Sequence, residues 1–234
     1  MENKLIFLGR GAAYNSEEKN NSAYLIKGDT MLLIDCGETV FKKITSMNLL
    51  EGIKNIHILI THMHSDHIGS LGSFVGYCNW KYNIVSKIYF NELETISEYL
   101  DLVGIKEGKA FKVYDVDNKR INDLGLEFTG VPTKHTKSLN SYSYILKFDE
   151  GNDIFYSGDS KETNIDIVPF LKDDNIIYQD TCLNGGRECP HTSLDELVER
   201  IPEEYRNKIY CMHIDCKELV IKAKELGFNV VEEC

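Results

Sequence analysis

A chain of 234 residues with 42% hydrophobic and 27% charged side chains has the composition of an ordinary globular protein. Its net charge of −11 and isoelectric point near 5.1 argue against the basic stripe that a long nucleic acid demands. No apolar run approaches the ~20 residues needed to cross a bilayer.

The start, Met1-Glu2-Asn3-Lys4, lacks a secretory apolar region. The seven cysteines are odd in number, scattered and without Cys-x-x-Cys pairs, and read as reduced thiols of a cytoplasmic protein. Apolar and turn-forming residues predict strands over 4–8, 22–27 and 31–35, with turns at 9–11 and 28–29. A helix is expected over 40–50, its apolar face formed by Val40, Phe41, Ile44, Met47 and Leu50. A buried strand over 56–61 leads into a histidine-rich loop. A helix over 68–80 follows, containing Gly69, Gly72 and Gly76, then a strand over 88–90 and a helix over 93–102. The second half repeats this order. Strands are expected over 126–131, 143–148, 153–156, 175–179 and 208–213, and helices over 194–200 and 217–226. Two similar halves of strands followed by helices suggest two packed sheets with helices outside, an αββα sandwich of the α/β (α+β) class, in one domain over 1–234.

The densest chemistry lies in Thr61-His62-Met63-His64-Ser65-Asp66-His67-Ile68-Gly69. Successive strand residues face opposite ways, so these imidazoles and the carboxylate converge only if the chain bends after Ile60. A metal-binding loop makes such a bend. Three further candidates each follow a strand-like segment: His135, Asp159 and His213. Singly each reads as a structural histidine or a turn residue. With the loop they make a metal site built from separated strand ends.

In this order the chain resembles the metallo-β-lactamase fold superfamily. The elements are Asp35-Cys36-Gly37, the Thr-His-x-His-x-Asp-His loop, His135, Ser157-Gly158-Asp159 and His213. The resemblance implies that His62, His64 and His135 hold one divalent metal and Asp66, His67 and His213 a second. Asp159 would bridge them and Asp35 would support the loop. Zinc suits these donors, with manganese or iron as alternatives. Such a pair clamps an attacking hydroxide and a substrate oxygen.

Three details resemble the ribonuclease Z-like phosphodiesterase branch: Asp35-Cys36-Gly37-Glu38, Leu8-Gly9-Arg10-Gly11 and Pro190-His191-Thr192-Ser193. In that branch the last histidine assists the leaving group, which implies catalytic roles for His191 and the metal-site Asp66. The chain also departs from it. Only 24 residues separate His135 from Asp159, leaving no room for a tRNA-gripping arm. Gln179 stands where the branch has a glutamate, so Asp180 would be the acid of a proton relay. The chain therefore looks like the armless cyclic nucleotide phosphodiesterases of the anti-Pycsar type, acting on a small cyclic phosphodiester. RNA 3′-end processing and thioester or lactone hydrolysis are the alternatives, and a sensor that has lost turnover is a third reading. Lys134, Lys137 and Arg187, with Tyr and Asn residues of 140–144 and Asn184, are candidate phosphate or base contacts. The resemblance also implies a homodimer, to which Phe74, Tyr77 and Trp80 could contribute.

Overall fold

In a computed structural model, which describes residues 2–15, 17–162, 165–186 and 188–234, thirteen strands form two sheets. The first begins with β1 (Ile6–Gly9), β2 (Ser22–Lys27) and β3 (Thr30–Ile34), an antiparallel meander. It continues with parallel β4 (Asn55–Leu59), β5 (Ser86–Tyr89) and β6 (Phe111–Tyr114). Each parallel step needs a crossover. These are α1 (Val40–Ser46), α3 (Leu71–Tyr82, preceded by the single turn α2, Ser65–Ile68) and α4 (Leu93–Leu102).

The second sheet repeats the plan. An antiparallel run of β7 (Lys119–Ile121), β8 (Leu126–Thr133), β9 (Ser141–Phe148) and β10 (Ile154–Tyr156) gives way to parallel β11 (Ile176–Asp180), β12 (Ile209–Met212) and β13 (Asn229–Val230). The crossovers are α5 (Ile167–Lys172), α6 (Leu194–Arg200) and α7 (Lys217–Glu225).

Period-two alternation divides the core into layers. Ile154, Tyr156, Ile176 and Tyr178 join one apolar cluster with Leu33, Ile58 and Ile88 of the first sheet. Their neighbours Phe155, Ile177, Ile209 and Cys211 face away and pack with Leu171, Leu194, Leu197 and Leu219 of the second helical layer. Val40, Ile44, Phe74 and Leu100 cover the first sheet. The layering is the expected αββα sandwich.

Two expected helices differ in extent. The one expected to reach residue 50 ends at Ser46, because the following turn puts Asn48 at φ +54°. The one expected over 68–80 is broken between Ile68 and Leu71. There Ser70 turns its backbone N–H to the Cys36 carbonyl and its hydroxyl to the Gly37 carbonyl, binding the histidine loop to the end of β3. Strands β6, β7 and β13 and helix α5 were not anticipated. Among the described residues no helix is long and apolar enough to cross a membrane.

Candidate metal centre

All the chemistry gathers where both sheets end. From the first sheet, Asp35 follows β3 and the histidine loop follows β4. From the second, His135 follows β8, Asp159 follows β10, Asp180 closes β11 and His213 follows β12. Asp35 anchors the bend. Its Oδ1 accepts the Thr61 backbone N–H at 2.8 Å, and its Oδ2 meets the Thr61 hydroxyl and His67 Nδ1, each at 2.8 Å. Asp35 and His213 both occupy left-handed backbone conformations, at φ +61° and +58°. A non-glycine residue adopts these only where its surroundings over-determine them. A Cβ at Gly37 would lie 1.9 Å from the Asp66 carbonyl oxygen. Only glycine lets the turn after β3 lie that close to the loop.

The donors form two adjoining groups. One contains His62, His64 and His135, the other Asp66, His67, Asp159 and His213, with ligand atoms in each within 4.8 Å of one another. His64 Nδ1 lies 2.8 Å from His62 Nε2 and 3.2 Å from His135 Nε2. Three ring nitrogens thus converge at spacings near the roughly 3.3 Å edge of a tetrahedron with bonds of about 2.0–2.1 Å. Asp159 touches both groups. Its Oδ2 is 3.8 Å from His62 Nε2 and 3.3 Å from His213 Nε2, while its Oδ1 is 3.3 Å from His67 Nε2. That carboxylate lies between the two groups.

Two observations fit divalent cations to these donors. His67 Nε2 and Asp159 Oδ1 are fully buried and, although 3.3 Å apart, form no well-directed hydrogen bond, a costly arrangement unless something else satisfies them. The electrostatics also favour positive charge. Burial opposes a charged His67, yet Asp159 and Asp35 outweigh it and hold its pKa well above the ordinary histidine value. Burial likewise opposes a charged His213, but Asp159, Asp180 and Asp66 push its pKa up to about 10. At His62 and His135 burial wins, and both rings are held below their usual value. The cluster and the fold together imply divalent metal binding.

His191 stands at the rim. Its ring lies 4.9 Å from that of His213 and 5.1 Å from that of His135. Its Nδ1 is 2.7 Å from Oδ2 of fully buried Asp180, whose other oxygen faces His213 Nδ1 at 3.4 Å. Burial disfavours the imidazolium, but the Asp180 carboxylate outweighs it and raises the His191 pKa. A capping box at Ser193 and Glu196 begins α6 immediately afterwards, and Lys161 ties Glu196 to the His191 carbonyl. His135 is fastened to the same segment through Nδ1 and the Pro190 carbonyl, 3.3 Å away.

The pocket over the cluster measures about 630 Å³ and is lined by His64, Asp66, Asp159, His191, His213 and neighbouring loop residues. Among its described lining residues there is no lysine or arginine. Lys134 and Lys137 lie outside it, Lys134 being paired with Glu162, and Arg187 lies outside the described residues. Tyr142 and Tyr144 are buried in β9 and unavailable for stacking; Tyr144 donates to the Ile60 carbonyl instead. Asn140 is bonded to Glu92, whereas Asn184 does line the pocket. Phe74 belongs to the core and Tyr77 packs on Phe41, leaving only Trp80 of that trio exposed. The seventh histidine, His57, is a core residue bonded to the Tyr89 hydroxyl.

The 10–15 loop walls the site, and no motif in the sequence marks it for that place. The structure also brings together Cys182 and Cys189, whose sulfurs lie 3.5 Å apart beside the pocket. A gap of six residues between two cysteines carries no signal of its own.

Comparison with known proteins agrees with this architecture. The chain is 30% identical to the anti-Pycsar protein Apyc1 of Bacillus phage vB_BveM-Goe7 over 250 residues, covering 96% of this chain and 95% of the phage protein. Among solved structures it resembles the metallo-β-lactamase fold protein YhfI from Bacillus subtilis (TM-score 0.76, 17% identity, 98% and 95% covered). It also resembles the short form of human tRNase Z, ELAC1 (TM-score 0.68, 16% identity, 92% and 93% covered). Residues 3–233 match the family described as anti-Pycsar protein Apyc1, and the chain, built on the metallo-β-lactamase fold, belongs to that family.

Proposed function

We propose that this protein is a metal-dependent phosphodiesterase that hydrolyses a cyclic mononucleotide to the linear nucleotide, with both halves of a single domain supplying the site. The observation that carries this reading is His191, an imidazole held by a buried carboxylate at the rim of the metal cluster. Two divalent ions held by His62, His64, His135, Asp66, His67, His213 and bridging Asp159 would supply Lewis acidity and a nucleophile at neutral pH. Zinc suits the donor set best, with manganese next.

The protein's own groups do the rest. Asp180 takes the Nδ1 proton of His191 in a hydrogen bond and leaves Nε2–H as the donor. That carboxylate raises its pKa, which favours the protonated ring a general acid needs. Water loses a proton to solvent as its oxygen forms a new P–O bond, the bond from phosphorus to a ribose oxygen breaks, and His191 gives that oxygen its proton and regains one from solvent. The released hydroxyl stays on the product, so no extended grip is needed. The pocket lining suits this economy: with no cationic side chain among its described residues, bound metals would supply the counter-charge for a single phosphate. The acidic balance and the missing arm oppose RNA processing. The protein would act in the cytoplasm, that of the host if phage-encoded, and as a homodimer paired through exposed Trp80, Leu102 and Val103.

The test is a panel of cyclic mononucleotides, a thioester, a lactone and a tRNA precursor, assayed with metal-loaded protein. Cyclic nucleotides should be opened, and His191→Ala should lower kcat by about 10²–10⁴-fold with metal content unchanged. Cleavage of the tRNA precursor alone would overturn the proposal.

A further inference from the structure

The loop from Arg10 to Asn20 is fastened at several points to the residue that follows metal-cluster His213. The Ile214 backbone N–H donates to the Arg10 carbonyl at 2.7 Å, and the Ile214 carbonyl accepts from Ala12 N–H at 3.0 Å and Asn15 Nδ2 at 2.9 Å. Arg10 is paired with Glu18 at 2.7 Å and donates to the Val231 carbonyl at 2.7 Å. At the loop's far end Asn20 and Thr39 exchange two hydrogen bonds of 3.0 and 2.8 Å. Such a loop is held in place relative to the cluster. At its turn sits Tyr14, with a relative exposure of 101%. Its ring has given no surface to the fold, although the backbone on either side is anchored.

Tyr14 lines the same pocket as His64, His191 and His213. Histidines aside, it is the only aromatic side chain among the described lining residues. We infer that Tyr14 is the base platform of the site, stacking on the nucleobase of a cyclic nucleotide whose phosphate lies at the cluster. The inference rests on the phosphodiesterase reading above and extends it to how the non-reacting part of the substrate is held. Three considerations carry it. The cluster is buried, so a phosphate reaching it leaves ribose and base in the outer pocket, where Tyr14 stands. A nucleobase is a planar π system that binds well on an aromatic face. Among the described lining residues there is no cationic side chain, and Tyr14 is the one non-histidine aromatic face they offer to a base. Stacking tolerates any base. Tyr14 therefore selects for the presence of a base, not its identity.

The experiment compares wild type, Tyr14→Ala, Tyr14→Phe and Tyr14→Trp on a pyrimidine and a purine 3′,5′-cyclic nucleotide and on base-free ribose 3′,5′-cyclic phosphate. Tyr14→Ala should raise KM for both nucleotides roughly 5- to 100-fold. It should leave their kcat within about twofold and the base-free ester unaffected, and Tyr14→Phe should restore KM. As a readout independent of turnover, the indole of Tyr14→Trp should be quenched by cyclic nucleotide and not by the base-free ester. The chain's one native tryptophan, Trp80 on α3, serves as the background. An unchanged KM in Tyr14→Ala with an active wild type would overturn this inference alone. Equal losses on the base-free ester, or a change in oligomeric state accompanying the KM effect, would also overturn it by assigning Tyr14 to loop structure or to a subunit contact. A wild type inactive on every cyclic nucleotide would overturn the phosphodiesterase reading with it.

Discussion

The two halves of the molecule share a plan, a meander followed by parallel strands with crossover helices, yet they furnish the site in different ways. The first half concentrates its donors: His62, His64, Asp66 and His67 lie on one short loop after β4, with Asp35 beneath them. The second half disperses its share. His135, Asp159, Asp180, His191 and His213 come from five separate places, each at or just past a strand end or just before a helix. A concentrated set depends on one local bend, whereas a dispersed set depends on register across a whole sheet. Damage to one should therefore differ in kind from damage to the other.

The comparison breaks most completely at Asp159, where the halves meet. Asp159→Ala removes the carboxylate facing both donor groups. It should cut activity by about a thousandfold or more, equivalent to about 4 kcal/mol of barrier. Bound metal measured by elemental analysis should fall with it, and retention of two ions with full activity would contradict the bridging assignment. The next effect lies under the first half's loop. Asp35 orients His67 and clamps Thr61, so Asp35→Asn should weaken metal binding about 10- to 100-fold in a chelator competition, as loss of an outer hydrogen-bond partner typically does. Because the whole loop hangs on Asp35, all its ligands should loosen together, whereas Asp180→Asn should disturb His191, His213 and the Ser160 backbone N–H beside Asp159 and leave the histidine loop in place.

The smallest effect on activity, and a visible one on stability, concerns the histidine outside the cluster. His57 is 4% exposed, and burial, with Lys87 nearby, lowers its pKa to about 4. The folded value lies below the unfolded one of about 6.5. The neutral ring therefore favours folding fully above pH 6.5, and that stability is lost as pH falls toward 4. The linkage amounts to about 3 kcal/mol at most. Denaturation midpoints of wild type and His57→Gln should converge as pH is lowered through this window, and parallel curves would show that His57 does not titrate there. Metal release affects both proteins and cancels in the difference.

Legibility followed the same division. Helices α4 and α6 have the bounds their patterns predicted, and the histidine loop announced itself because its donors are adjacent in the chain. Helix α5 was hidden by Pro169, which reads as a breaker but sits in the first helical turn, where proline is tolerated. Strands β7 and β13 have three and two residues, too few for an alternation to show. Tyr142 and Tyr144, which their place after His135 offers as base contacts, are buried in β9 by the fold.

By itself the sequence determined the layered sandwich, the nine-residue loop and the residue types that hold metal, because these depend on local periodicity and on donors close along the chain. Only the tertiary structure decided that Asp159 faces both donor groups and that Asp180 holds His191. It also decided that Cys182 meets Cys189, that cationic side chains are absent from the described pocket lining and that Tyr14 stands over it. Those are distances between strand ends, set by how two sheets register and pack, and no spacing along the chain encodes them.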